Sequence, residues 1–235
     1  MQHSNTITLH IWGRYALFSD PITRVGGEKF SYPVPTYQAI KGILESVYWK
    51  PTFIWVPDAV RVINPIETQS KGIRPIRYND GSNDLSIYSY LVNVSYQVQA
   101  HFEWNLHRPD LAEDRNENKH YFIAKRMLER GGRRDIFLGS RECQGYVEPS
   151  PFHEGPGAYD GTPAMSFGLM VHGITYADED GSGRMTERLW QPVMERGVIR
   201  FIRPEECPIR RPIRKQRAKK FTPGQNLQSC DTLYQ

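Results

Sequence analysis

Hydrophobic and polar positions alternate most cleanly over residues 95–107. Tyr96, Val98, Ala100, Phe102, Trp104 and Leu106 fall on one face, and Ser95, Gln97, Gln99, His101, Glu103, Asn105 and His107 on the other. Such a run of period two predicts a strand with one packed face and one open face. Residues 6–12 alternate in the same way, with Ile7, Leu9 and Ile11 opposed to Thr8, His10 and Trp12, and predict a first strand. The period becomes helical after Thr36, a capping residue followed by the apolar stripe Ile40, Ile43, Leu44 and Val47; Pro51 marks the end. Residues 59–66, with Val60 and Val62, predict a second strand. Asp114-Arg115-Asn116-Glu117 has the spacing of a capping box, with Asp114 as cap. The helix it opens runs to about Arg130, where Gly131-Gly132 stops it. Residues 135–147 predict another strand, with Gly139 as a point of breakage.

The order β-α-β-β-α-β predicts an α+β, ferredoxin-like (RRM-like) domain over residues 1–147, an antiparallel sheet with both helices on one face. RNA-recognition modules share this arrangement, but their aromatic stacking signature is not evident here. Residues 148–235 read as a second, small antiparallel β-sheet unit, with short strands at 166–175 and 197–202, turn-rich segments between them, and a basic tail.

The chain has 235 residues, 39% hydrophobic and 24% charged, which is a globular composition. No apolar run approaches the roughly 20 residues of a membrane helix, and residues 1–6 lack the basic start and apolar core of a signal peptide. Cys143, Cys207 and Cys230 are odd in number and widely spaced, which points away from disulfides and structural zinc and toward a cytoplasmic location. The loop containing Gly26-Gly27 lacks the spacing of a phosphate-cradling P-loop.

Charge sharpens the picture. The net charge is +4, yet residues 200–220 alone carry nine basic side chains against Glu205 and Glu206. Among them are Arg210 and Arg211, with Pro204, Pro208 and Pro212 keeping the run extended rather than helical. A second basic stretch holds Lys125, Arg126, Arg130, Arg133, Arg134 and Arg141. Clustered Arg and Lys suit a phosphate backbone, and a solvated face is the ordinary alternative.

Three polar residues stand out by phase. Lys119 is four residues before Ile123, and His120 four before Ala124, so both extend the inward stripe of the second helix at its N-terminal end. A cation and an imidazole there suit a phosphate-handling site; a snorkelling lysine and a hydrogen-bonded core histidine would leave the same pattern. Tyr48 ends the stripe of the first helix, where an ordinary core-edge tyrosine also fits. His101 and His107 lie roughly 20 Å apart along one strand, too far to share an ion, so no metal site is expected. No acidic cluster for two-metal chemistry stands out, and no cofactor fingerprint is present.

Several segments together resemble the Cas-five family of CRISPR-associated proteins in its subtype I-C form. They include Tyr15-Ala16-Leu17-Phe18-Ser19-Asp20-Pro21, Gly26-Gly27-Glu28-Lys29, Tyr48-Trp49-Lys50-Pro51-Thr52 and Ser70-Lys71-Gly72-Ile73-Arg74-Pro75. Asn105-Leu106-His107-Arg108-Pro109-Asp110-Leu111, Lys119-His120-Tyr121, residues 131–139 and residues 141–147 complete the set. The resemblance implies a metal-independent endoribonuclease of the RAMP superfamily that cuts CRISPR repeat hairpins in precursor RNA. It also implies that the protein stays on the processed guide as a subunit of a type I surveillance complex. The family's catalytic tyrosine matches Tyr48, and its Lys-His pair matches Lys119 and His120.

These residues suit attack by a ribose 2′-hydroxyl on the adjacent phosphate, giving a 2′,3′-cyclic phosphate and a 5′-hydroxyl. Lys119 would stabilise the transition state, His120 would protonate the leaving oxygen, and Tyr48 would orient or assist in deprotonating the nucleophile. The rival expectation is a guide-RNA-holding subunit that does not cut, with a contact to DNA as a further partner of the basic residues.

Overall fold

The computed structural model describes residues 3–21, 23 and 27–216. The tail beyond 216, with Arg217, Lys219, Lys220 and Cys230, lies outside the described residues, as does Gly26. The first part of the chain forms β1 (Ile7–Ala16), β2 (Lys29–Phe30), α1 (Tyr37–Val47), β3 (Phe53–Val62), β4 (Thr68–Ile73), β5 (Ser86–Trp104), α2 (Glu117–Glu129), β6 (Ile136–Phe137) and β7 (Gln144–Pro149). The rest forms β8 (Met165–Ser166), β9 (Met170–Thr175), α3 (Ala177–Asp180), β10 (Arg184–Trp190), β11 (Val193–Glu195), β12 (Val198–Arg200) and β13 (Ile209–Lys215). The protein is thus a mixed helix-and-strand structure built on antiparallel sheets.

In space the central strands run β7-β1-β5-β3, each antiparallel to its neighbour. The register follows the hydrophobic pattern: Ile7 faces Ala100, Leu9 faces Val98 and Ile11 faces Tyr96. Slipping it by one residue would turn every one of these side chains out of the core. α1 packs on β3 and α2 on β7, and the helices touch each other over the same sheet face. Between them and the sheet lie Leu9, Ile11, Leu44, Val47, Trp55, Val98, Ala100, Phe102, Ala124 and Leu128, all buried. β12 then pairs with β3, and β11 and β8 follow, so residues beyond 148 extend the same sheet. β9, β10 and β13 make a separate three-stranded antiparallel sheet.

Several expectations change. The face of β5 expected to be open is covered: Ser95, Gln97 and His101 are buried. Gln97 donates to the Glu154 carbonyl at 2.7 Å and accepts from the His153 N–H at 2.9 Å, because residues beyond β7 fold back over it. β5 also stops at Trp104, where Asn105 turns the chain by donating its N–H to the Thr52 carbonyl, so Leu106 is exposed rather than packed. The second strand begins at Phe53, and Pro57 is accommodated by a register shift between Pro57 and Ala59. The strand expected over 135–147 is a β6–β7 hairpin broken at Gly139.

Candidate active site

α1 delivers Tyr48. Thr36 accepts the Ala39 N–H on its hydroxyl and starts the helix, and Ile40, Ile43, Leu44 and Val47 anchor it in the core. Tyr48 is the first residue with extended backbone; its N–H still reaches Leu44, and its carbonyl accepts the Trp55 indole N–H at 2.7 Å. The Tyr48 backbone is therefore held at both its N–H and its carbonyl, and the residue is buried.

α2 delivers the other two residues. Its cap is Asn116, which accepts the Lys119 N–H, and not Asp114 as the capping-box spacing suggested. The Glu117 carboxylate accepts the Ser4 hydroxyl. His120 shares the buried row with Ala124 and Leu128 and is itself fully buried. Lys119 lies about 100° around the helix, on a row with half-buried Ile123 and Met127, and its side chain is 50% exposed. Only one of the two thus continues the inward stripe.

The structure brings Tyr48 and His120 into contact, with Oη 2.9 Å from Nδ1. The imidazole sits among Phe53, Phe102 and Trp104, a dry aromatic surround. Its Nε2 is 2.7 Å from the Asp114 backbone carbonyl. A carbonyl can only accept, so Nε2 carries a proton, and in the neutral imidazole Nδ1 then accepts from the Tyr48 hydroxyl. Both ring nitrogens are engaged.

Asp114 ties in the third residue. Its carboxylate meets Lys119 Nζ at 2.5 Å, accepts the Thr52 hydroxyl at 2.7 Å, and lies 3.4 Å from His120 Nε2. The Lys119 ammonium holds the Asp114 carboxyl below the usual carboxylate range, against partial burial, with Thr52 helping. Burial pushes the Tyr48 phenol up, the Asp114 charge adds to this, and Arg133 opposes it. Sequence reading missed Asp114 and Thr52. A carboxylate just ahead of a helix reads as a cap, and Thr52 carries no pattern of its own.

The candidate RNA-binding residues are dispersed. Arg126 lines a surface hollow with Lys119 and Phe122. Arg130 caps the end of α2, and the Arg133 and Arg134 N–H groups bond the Ser46 carbonyl at the end of α1. Arg141 is exposed in the β6–β7 turn. Arg210 and Arg211 lie on β13, in the other sheet, where Arg211 pairs with Glu187 at 2.6 Å. A roomier cavity, about 1140 Å³, is lined by Trp190, Val193, Arg196 and Arg200, away from Tyr48, Lys119 and His120. Among the described residues no three or more His, Cys, Asp or Glu side chains are grouped to hold a metal ion, and no helix is long and apolar enough to cross a membrane.

Residues 6–202 match the model of a family described as CRISPR-associated protein (Cas_Cas5). The CRISPR pre-crRNA endoribonuclease Cas5d of Thermus thermophilus is 28% identical over 191 residues, covering 77% of this chain and 78% of that protein. The protein of the same name from Mannheimia succiniciproducens is 46% identical over 67 residues, 28% of this chain and 29% of that one. A crystal structure described as a CRISPR-associated protein aligns with a TM-score of 0.75 at 35% identity, covering 88% of this chain and 96% of its own. A functionally uncharacterised protein from Streptococcus mutans aligns at 0.73 and 38%, with the same coverage.

Proposed function

The chain belongs to the Cas5 family of CRISPR-associated proteins, and from that premise we propose that it is an endoribonuclease that cuts CRISPR repeat hairpins in precursor RNA without metal. The names of its relatives support the substrate class. We read the core as ferredoxin-like, a reading supported by the antiparallel order β7-β1-β5-β3.

The observation that carries the mechanism is the Tyr48–His120 hydrogen bond, with the imidazole proton on the far nitrogen. The RNA 2′-oxygen attacks the adjacent phosphorus while its proton passes to Tyr48 Oη. The phenolic proton moves to His120 Nδ1 in the same event. The bond from phosphorus to the 5′-oxygen breaks, and that oxygen takes the proton from His120 Nε2. The products are a 2′,3′-cyclic phosphate and a 5′-hydroxyl, and the imidazole ends neutral with its proton on Nδ1. Because the Tyr48 phenol is pushed up, phenolate does not accumulate, and a concerted relay replaces a free phenolate base. Lys119 stabilises the charge on the phosphorane-like transition state. In the free protein Nε2–H is held by the Asp114 carbonyl, so its delivery to the leaving oxygen requires that bond to open.

Arg126, Arg130, Arg133, Arg134 and Arg141 track the RNA backbone in this reading, and Arg210 and Arg211 extend the contact to guide RNA or DNA within a type I surveillance complex. The test is cleavage of repeat RNA in chelator, repeated with 2′-deoxy sugars and with alanine at Tyr48, Lys119 and His120. Cutting of the deoxy substrate, or cutting that survives all three alanines, overturns the mechanism. The burial of Tyr48 and His120 favours a second reading, a guide-holding subunit that does not cut. Wild-type protein that binds repeat RNA and never cleaves it decides for that reading.

A further inference from the structure

We propose that the Asp114 carboxylate occupies the subsite that the scissile phosphodiester takes, with Lys119 Nζ and Thr52 Oγ1 as its ligands, so that RNA binds by displacing Asp114. The inference rests on the RNA-cleavage reading and deepens it. A carboxylate and a phosphodiester accept from the same donors, and here one carboxylate takes an ammonium at 2.5 Å and a hydroxyl at 2.7 Å. Lys119, half exposed, is the entry side, and Thr52, buried, is the floor. While Asp114 stays, the ammonium is neutralised and an incoming phosphate meets a negative charge.

The segment that carries Asp114 is suited to move. The 3₁₀ turn Pro109–Asp114 buries none of its residues, so opening it exposes little apolar surface. Arg115, the next residue, bonds the Asn105 and Arg108 carbonyls through Nη2, but its buried Nε has no partner among the described residues, so the closed turn leaves one donor unsatisfied there. Displacement also withdraws the Asp114 carbonyl from His120 Nε2. One movement frees the cation, the hydroxyl and the proton donor, which couples substrate binding to the assembly of the site.

The probe is a repeat hairpin bearing 2′-fluoro in place of every 2′-hydroxyl, which 2′-oxygen attack cannot cut. Asp114→Asn removes the charge and keeps an acceptor for Thr52. It is expected to bind this probe about three- to fivefold tighter than wild type, the worth of one exposed ion pair released. Its log affinity should also fall more steeply with log salt, because the displaced wild-type carboxylate takes up a counter-cation and the asparagine does not. In a Lys119→Met background the same change should do nothing, and Thr52→Val should weaken binding. Asp114→Ser, a smaller uncharged acceptor, should reproduce the gain if the asparagine variant folds poorly. Unchanged or weaker binding by both variants, with an unchanged salt slope, overturns the proposal. Failure of wild-type protein to cut natural repeat RNA would sink the cleavage reading alone, because the fluorinated probe reports binding.

Discussion

Tyr48 Oη and His120 Nδ1 lie 2.9 Å apart although 72 positions separate them in the chain. The contact exists because α1 ends where α2 begins its buried row, and both helices cover one face of the sheet. A phenol hydroxyl left in this aromatic surround without a partner would cost about 1–3 kcal/mol, and the imidazole nitrogen is the partner it has.

Tyr48→Phe removes that donor and leaves Nδ1 unpaired. Stability should drop by about 1–3 kcal/mol in urea unfolding, and single-turnover cleavage of repeat RNA should fall about 10²- to 10⁴-fold. Tyr48→Phe combined with His120→Ala should cost scarcely more activity than either alone, because the proposed mechanism uses the two residues as one relay. The wild-type rate should show no rise from phenolate up to about pH 10, since burial pushes the phenol above its ordinary value.

Lys119→Met separates chemistry from stability. The ammonium is half exposed, so its pair with Asp114 adds little to folding, and unfolding free energy should stay within about 0.5 kcal/mol of wild type. Cleavage should fall about 10²- to 10³-fold, as for loss of one group that stabilises developing charge. Lys119→Arg should retain part of the rate. Equal losses of stability and activity would mark Lys119 as structural.

Much of this arrangement was legible in the sequence because short-range periodicity carries it. The Ile7-Leu9-Ile11 alternation, the α1 stripe and the Ala124–Leu128 row each state which side of an element faces inward, and the buried positions agree. What could not be read depends on distant chain. The polar face of β5 is closed by the loop through His153 and Glu154, a contact across more than fifty residues with no local signature. β12 joins β3 by pairing backbone to backbone, which leaves no side-chain pattern. Asp114 was hidden by its position: either Asp114 or Asn116 can cap the helix, and Asn116 took that role, leaving the carboxylate to Lys119 and Thr52.

A further buried histidine, His172, should make stability depend on pH. His172 donates from Nε2 to the Ile202 carbonyl at 3.0 Å, while Arg188 Nε lies 3.3 Å from Nδ1. Burial, with the Arg188 charge added, pulls its pKa down to about 3. The unfolded chain takes up this proton near pH 6.5, whereas the folded chain does so only near its depressed value. The contribution is therefore complete above about pH 6.5 and is lost as pH falls, by up to about 1.4 kcal/mol per pH unit. His172→Gln should be less stable than wild type at pH 7.5 but should lose about 2 kcal/mol less between pH 7.5 and pH 5, measured by urea unfolding at each pH. Parallel pH dependence in the two proteins would rule the histidine out.

Two glycines should respond to alanine in opposite directions, and the contrast tests how firmly the β6–β7 hairpin is locked to the end of β1. Gly139 has φ +91°, and a Cβ there would stand 2.1 Å from the Leu17 carbonyl oxygen. The Leu17 N–H in turn bonds the Leu138 carbonyl at 2.9 Å, so the two segments cannot separate without losing that bond. Gly139→Ala must therefore combine an unfavourable backbone angle with a backbone collision, and a loss of at least about 3 kcal/mol is expected. Gly42 lies inside α1, where an added Cβ meets nothing within 4 Å. Gly42→Ala should instead raise stability by about 0.5–1 kcal/mol, through the lower conformational entropy of the unfolded chain and better helix propensity. Thermal and urea unfolding of the two variants decide the matter. A Gly139→Ala protein as stable as wild type would mean that the hairpin slides away from Leu17 at little cost, and the close approach would then have no structural role.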